Sequence, residues 1–361
     1  MTQNKNQFKW AKTIQIGDQV VGSGNSIYFI AEAGVNHNGD LSMAKKLVDA
    51  AANAGANAVK FQTFNPESLN TPSAPKAAYH IETTGSDSNQ SWLDLLKTQV
   101  LDRGMHEVLI DYSKKVGIHF LSTPYDIESL DMLCALKVPA IKVASTDLNN
   151  HPFLVEMAKR DVPIILSTAM SDFSEVNDSV NLLYNSGCRE LVVMQCTGNY
   201  PSKLSDTNMR VMEMFKENCG VLVGYSDHTL EDVNPILSVG LGACVFEKHI
   251  TLDQTLPGPD LRMALTPEEL KKTIHLIREA EKALGRREKV VLPSETETRA
   301  RLRKSIVAVC DIERGTIIED SFLTLKRPGT GIAPQYLKEI LGRKTKNRLS
   351  KDALLSWDDF L

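Results

Sequence analysis

The 361-residue chain offers no apolar run long enough to cross a bilayer and no block of lysine and arginine suited to a nucleic-acid backbone. Its opening, M-T-Q-N-K-N-Q-F-K-W, lacks the apolar centre of a secretory leader. The six cysteines (Cys134, Cys188, Cys196, Cys219, Cys244 and Cys310) form no C-x-x-C pair, so no disulfide framework is expected. They read as reduced thiols of a cytoplasmic protein. The net charge of -4 is spread over mixed signs. What remains is ordinary composition, 42% hydrophobic and 24% charged, in a chain long enough for one large domain and a small one.

Residues 27–64 give the organising unit. An apolar run, I-Y-F-I-A, ends in the carboxylate of Glu32. Leu41, Ala44, Leu47, Val48 and Ala51 then recur at helical spacing up to Gly55. A second short run, A-V-K-F-Q-T-F, carries Lys60 and Gln62. This is strand, helix, strand, the length of one βαβ unit. Charge at the exit of a buried parallel strand is costly unless it has a partner or a task. Lys60 and Gln62 are two residues apart and share a face of their strand.

The rest of the chain repeats the pattern. Residues 1–26 form a polar lead-in with a hairpin over T-I-Q-I-G-D-Q-V-V-G. After Phe64 a polar stretch to about Asn89 reads as a binding loop or lid. Strands are expected at 118–122, 140–144, 163–167, 191–196, 221–224 and 243–249, with helices between them. A long helix over 266–285 is opened by T-P-E-E. Eight strand–helix alternations predict a TIM (β/α)8 barrel over 1–285. Residues 286–301 are charged and read as a linker. Residues 302–361 carry short β-type runs (K-S-I-V-A-V, F-L-T-L-K-R) and make a second, β-rich domain too small to bury much surface alone.

In such barrels the C-terminal strand ends build the active site. Here they carry Glu32, Lys60, Gln62, Thr123, Lys142, Ser145, Ser167, Thr197, Tyr200, Ser226, Asp227, His228, Glu247 and His249. Two ammonium groups, Lys60 and Lys142, surrounded by the hydroxyls of Thr123, Ser145, Ser167 and Ser226, suit a phosphate or carboxylate anion. The alternative is that each lysine pairs with a carboxylate such as Glu32 or Asp147. His228 and His249 end neighbouring strands and suit a divalent ion such as Mn²⁺; two hydrogen-bonded core histidines are the plainer reading. Glu247 shares a face with His249 but can pair with a lysine instead. His37 either touches substrate or holds its own loop, and Trp10 reads as packing.

These strand ends resemble the sialic acid synthase family, which condenses phosphoenolpyruvate with an N-acetylmannosamine-type sugar. The matching pieces are A-E-A-G-V-N-H-N-G (31–39), V-K-F-Q-T-F (59–64), F-L-S-T-P-Y-D (120–126), I-K-V-A-S-T-D-L-N-N (141–150), I-L-S-T-A-M (165–170), Q-C-T-G-N-Y-P (195–201), G-Y-S-D-H-T (224–229), F-E-K-H-I-T-L-D (246–253) and P-G-P-D (257–260). The tail piece K-R-P-G-T-G-I (326–332) is similar to the antifreeze-like SAF domain of that family.

The resemblance implies a TIM barrel with a C-terminal SAF domain and a domain-swapped homodimer. It implies that Lys60, Thr123, Lys142, Ser145, Ser167 and Ser226 hold phosphoenolpyruvate. It implies His228 and His249 as ligands of Mn²⁺ or Mg²⁺. Gln62, Tyr200 and Asp260 would face the sugar, Arg327 would reach its N-acyl group from the partner subunit, and Glu32 and Asp147 would manage protons. Asp147 stands where several bacterial members have glutamate, Gly198 where some have asparagine, and Ala169 where others have glycine. After P-G-P-D comes Leu-Arg rather than a common histidine, a departure that bears on which sugar fits. N-acetylmannosamine is the first expectation, then a 6-deoxy-2,4-diacetamido sugar leading to legionaminate, then a 6-phosphorylated sugar. A lysine Schiff-base aldolase, a related phosphoenolpyruvate-dependent synthase and a sugar-binding protein are the rival readings.

Overall fold

The computed structural model describes residues 8–76, 81, 91–256, 258 and 260–361. Much of the polar stretch on which the lid expectation rests, residues 77–80 and 82–90, lies outside the described residues, as do positions 257 and 259 of P-G-P-D. The chain forms two units, Met1–Gly285 and Arg286–Leu361.

The larger unit is a closed eight-stranded parallel barrel. Its strands are β3 (Tyr28–Gly34), β4 (Ala58–Thr63), β5 (His119–Pro124), β6 (Ile141–Val143), β7 (Ile164–Ser167), β8 (Leu191–Cys196), β9 (Leu222–Asp227) and β10 (Val245–His249). They follow chain order, and β10 closes on β3. The hairpin β1 (Thr13–Ile16) and β2 (Gln19–Gly22) precedes them. Helices are built where polar caps meet apolar stripes. Asp40 caps Leu41–Ala54 through the amides of Ser42 and Met43, and Gly55, at φ 88°, ends it. Thr266 and Glu269 form a capping box for Pro267–Leu284.

Alternation along the strands sorts the barrel interior into layers. One apolar cluster joins Tyr28, Ile30, Ala58, Leu121, Ala140, Ile165, Val192, Met194 and Val245 to Ile14, Ile16 and Val21 of the hairpin. The hairpin therefore plugs the N-terminal end of the barrel. A side chain on Gly17, in its turn, would run into the His119 ring, which bridges Tyr28 Oη (2.8 Å) and Asp18 Oδ1 (3.0 Å). Two residues beyond these apolar positions, on the same inward face, stand Glu32, Lys60, Thr123, Lys142, Ser167, Cys196 and Glu247. The same strands that fill the floor thus lift polar groups to the mouth. The outer face of the strands packs on the helices in a separate, larger core that includes Trp10, half of an edge-on pair with Tyr184.

The smaller unit pairs β11 (Ser305–Ala308) with β12 (Leu323–Lys326) antiparallel around Ile306, Ile312, Ile318, Ile332, Leu355 and Phe360. Within the stretch 286–301, read from its charge as a linker, the helix Thr296–Leu302 begins; Glu297 and Arg301 pair across one turn at 2.6 Å. Among the described residues no helix is long and apolar enough to cross a membrane.

Candidate active site

Strand register assembles the site. Glu32 on β3 is level with Lys60 on β4 and with His249 on β10, while Glu247 on β10 is level with Ser226 on β9. Lys60 Nζ lies 2.6 Å from Glu32 Oε2 and donates to Thr123 Oγ1 at 3.1 Å. Lys142 Nζ donates to Ser167 Oγ at 2.6 Å and to the Val143 carbonyl at 3.2 Å. Ser145 Oγ accepts from the amide of Ala169 at 2.9 Å, tying the β6 end to the β7 end. The two lysines come together as the residue types suggest. They are not bare cations, however: Lys60 pairs with Glu32, and Glu247 lies 3.8 Å from Lys60 and 3.7 Å from Lys142. Asp147, the other carboxylate considered for them, instead accepts from Asn150 Nδ2 at 2.9 Å.

Burial sets the protonation states. It raises the Glu32 carboxyl to about 7; the Lys60 ammonium opposes the rise and Glu247 adds to it. Burial alone would lower Lys60, but Glu247 and Glu32 outweigh it and hold this amine above its ordinary value. Lys142 is held below its ordinary value by burial, offset in part by Glu247 and deepened by Lys60. Burial raises Asp260 to about 6, and it raises Asp147 as well. The sugar-facing candidates Gln62 and Asp260 meet Glu32 around Gly34. A Cβ on Gly34 would stand 3.3 Å from Glu32 Oε1, 3.6 Å from Asp260 Oδ2 and 3.6 Å from Gln62 Nε2. Its φ of 51° is also one that favours glycine.

His228 and His249 face one another with ring centroids 5.5 Å apart, and Tyr200 stacks on His228 at 4.2 Å. His228 Nδ1 donates to the Thr197 carbonyl at 2.7 Å. Burial works against charge on this ring and Cys196, its sulfur 3.8 Å from Nδ1, works for it, raising the imidazole to about 9. The carbonyl is the shorter contact and fixes Nδ1 as protonated in either state. Nε2 is then the nitrogen a cation can take. His249 is kept neutral by burial and by the cations around it, and its buried Nδ1 has no hydrogen-bond partner. Two imidazole nitrogens, one of them an orphan, fit a divalent ion that draws its other ligands from substrate and water. Among the described residues no group of three His, Cys, Asp or Glu side chains is placed to hold a metal ion by itself.

Behind the histidines, Lys248 Nζ pairs with Asp227 Oδ2 at 2.7 Å and donates to the Thr229 carbonyl. Asp227 Oδ1 accepts from the Thr229 amide and hydroxyl at 3.0 and 2.9 Å. Each member of this buried pair is the chain neighbour of one histidine, so the network fixes both strand ends. Strand position singles out neither Lys248 nor the role of Asp227, because both face the helices. Tyr125, inside the F-L-S-T-P-Y-D piece, is a further residue to which sequence reasoning gave no role. Burial raises its phenol well above the ordinary value, and Glu32, Asp147, Asp260 and Glu247 add to the rise; its ring packs edge-on against Phe64.

His37 is buried, accepts from the Gly39 amide at 3.0 Å and is lowered to about 4 by burial. It holds its own loop. Arg327, in the smaller unit, is exposed and donates through Nε to the Leu302 carbonyl at 3.0 Å.

Residues 47–289 match the NeuB family and residues 303–361 match the SAF domain. The chain is 41% identical over 341 residues to the N,N'-diacetyllegionaminic acid synthase of Legionella pneumophila, covering 93% of this chain and 95% of that protein. It is 33% identical over 343 residues to the human N-acetylneuraminate-9-phosphate synthase, covering 92% of each. The crystal structure of N-acetylneuraminic acid (sialic acid) synthetase from Leptospira borgpetersenii in complex with citrate superposes with a TM-score of 0.70 at 31% identity, over 80% of this chain and 95% of that one.

Proposed function

Because the chain belongs to the NeuB family, we propose that it condenses phosphoenolpyruvate with an N-acylated amino sugar to give a nonulosonic acid and inorganic phosphate. One observation carries the reading: Lys60, Lys142, Ser226, Glu32 and two facing imidazoles meet in a single buried mouth. A neutral sugar alone calls for neither the paired ammonium groups nor the histidines.

Lys60, Lys142, Thr123, Ser145, Ser167 and Ser226 hold the enol phosphate by charge-assisted hydrogen bonds. A Mn²⁺ or Mg²⁺ ion held by His228 and His249 would polarise the aldehyde of the open-chain sugar. C3 of the enol bonds to that aldehyde carbon, water adds at C2, and the bond from C2 to the bridging oxygen breaks as phosphate leaves. Glu32, ionised beside Lys60, takes the proton of the water; Asp147 or Asp260, raised by burial, returns one to the new hydroxyl. Gln62, Tyr200 and Asp260 line the sugar side. Holding two substrates and a water in order is a positioning task, which suits a rigid barrel.

Of the candidate sugars, 2,4-diacetamido-2,4,6-trideoxymannose is favoured over N-acetylmannosamine. The legionaminic acid synthases of Legionella pneumophila and Campylobacter jejuni are 41% and 40% identical to this chain, against 31% for the N-acetylneuraminic acid synthetase of Leptospira borgpetersenii and 33% for the human N-acetylneuraminate-9-phosphate synthase. Phosphate release from phosphoenolpyruvate and Mn²⁺ with each sugar in turn tests both levels. The diacetamido sugar should give the highest kcat/KM. No release with any amino sugar would overturn the reading.

A further inference from the structure

Three groups assigned to the substrate anion already converge on one carboxylate. Ser226 Oγ donates to Glu247 Oε1 at 3.2 Å, Lys142 Nζ lies 3.7 Å from the same oxygen, and Lys60 Nζ lies 3.8 Å from Oε2. Among the described residues Glu247 is the carboxylate within ion-pair reach of Lys142, whose hydrogen bonds go to the neutral oxygens of Ser167 and Val143. Both lysine separations exceed the roughly 2.8 Å of a closed charge-assisted hydrogen bond. Glu247 Oε2 is buried with no hydrogen-bond partner. The carboxylate therefore neutralises the two ammonium groups without consuming their donors.

We propose that Glu247 is a built-in counter-ion of the anion site, one that keeps Lys60 and Lys142 buried and aligned and competes with the incoming substrate anion for them. Two buried cations sharing only the Glu32 charge would repel each other and carry an uncompensated desolvation cost. A negative charge a few ångströms from the bound anion weakens anion binding, and that is the cost of the alignment. Glu247 acts through the lysines and is a positioning residue. The inference rests on reading Lys60, Lys142 and Ser226 as an anion site, and the test separates the two.

Dissociation constants for inorganic phosphate and for phosphoenolpyruvate are measured calorimetrically on the wild type and on Glu247→Gln, with kcat alongside. Glu247→Gln should bind both anions at least tenfold more tightly while kcat falls at least tenfold. A merely structural role predicts weaker binding with lower kcat. Folded Glu247→Gln that binds both anions no more tightly than the wild type overturns the proposal. Tighter phosphate binding, with phosphoenolpyruvate bound by neither protein, supports the counter-ion and overturns the substrate assignment instead. Should Glu247→Gln not fold, Glu247→Asp draws the charge back by one methylene. It should tighten phosphate severalfold, and unchanged or weaker binding would overturn the proposal in the same way.

Discussion

Lys60 Nζ stands 2.6 Å from Glu32 Oε2 with both side chains buried, and strand register sets the same glutamate level with His249. Glu32 is thus the hinge between the anion side of the mouth and the imidazole side. Its carboxyl, raised by burial to about 7, changes charge within the working range of pH. As the base for water, Glu32 must be ionised, so kcat/KM should rise with pH along a limb of apparent pKa near 7. Glu32→Gln should lose that limb and at least 100-fold in rate. An unchanged limb in Glu32→Gln would assign it to another group. For stability the sign is opposite. The folded value lies above the ordinary 4.5, so this group's contribution is fully present below about 4.5 and is lost as pH rises through about 7. Urea unfolding of wild type and Glu32→Gln across that window measures the difference.

Removing either imidazole should remove the cation site and leave the barrel. His228→Ala and His249→Ala are expected to keep their circular dichroism spectra. They should bind Mn²⁺ at least 100-fold more weakly, read by electron paramagnetic resonance, and should hold phosphoenolpyruvate within about threefold of wild type. Wild-type Mn²⁺ affinity in either variant, with turnover insensitive to chelator, would remove the metal role.

The Lys248–Asp227 pair should act as a brace for both histidines. Lys248→Met leaves a buried carboxylate without its cation and is expected to lose about 3–5 kcal/mol in urea unfolding. The double variant Lys248→Met with Asp227→Asn removes both charges and should recover a large part of that loss. Equal stabilities for wild type and Lys248→Met would show that the pair contributes nothing.

The exposed guanidinium of Arg327 leads to a prediction about subunit exchange. Arg327→Ala should raise the sugar KM at least tenfold while the phosphoenolpyruvate KM stays within twofold. If Arg327 serves a neighbouring subunit, mixing Arg327→Ala with His249→Ala should give more activity at low sugar concentration than the two variants assayed separately. Equal changes in both KM values, with no complementation, would count against that reach.

Much of the fold and part of the site are legible in the sequence. The eight βα alternations point to the barrel, and period-two spacing sets Lys60 with Gln62 and Glu247 with His249 on one shared face of each strand. Spacing along one strand cannot say what faces a residue from the next strand. Pairing Glu32 with Lys60 and setting Glu247 between two lysines depend on barrel register, and no local pattern encodes that register. Lys248 points away from the mouth and looks like ordinary surface charge until the helices cover it; Asp227, read from its strand end as part of the mouth, faces the helices with it because strand alternation turns it opposite to Ser226. Asp260 comes beside Glu32 at Gly34 from a loop far along the chain, a meeting that no spacing within one strand encodes.

The most direct test of the central claim follows one oxygen atom. Phosphoenolpyruvate labelled with ¹⁸O in the bond between C2 and phosphorus is turned over with the diacetamido sugar and Mn²⁺, and both products are weighed by mass spectrometry. Water addition at C2 predicts that the label leaves entirely with phosphate and that the nonulosonic acid carries none of it at C2. Label retained in the acid, or phosphate released without any sugar present, would contradict the account.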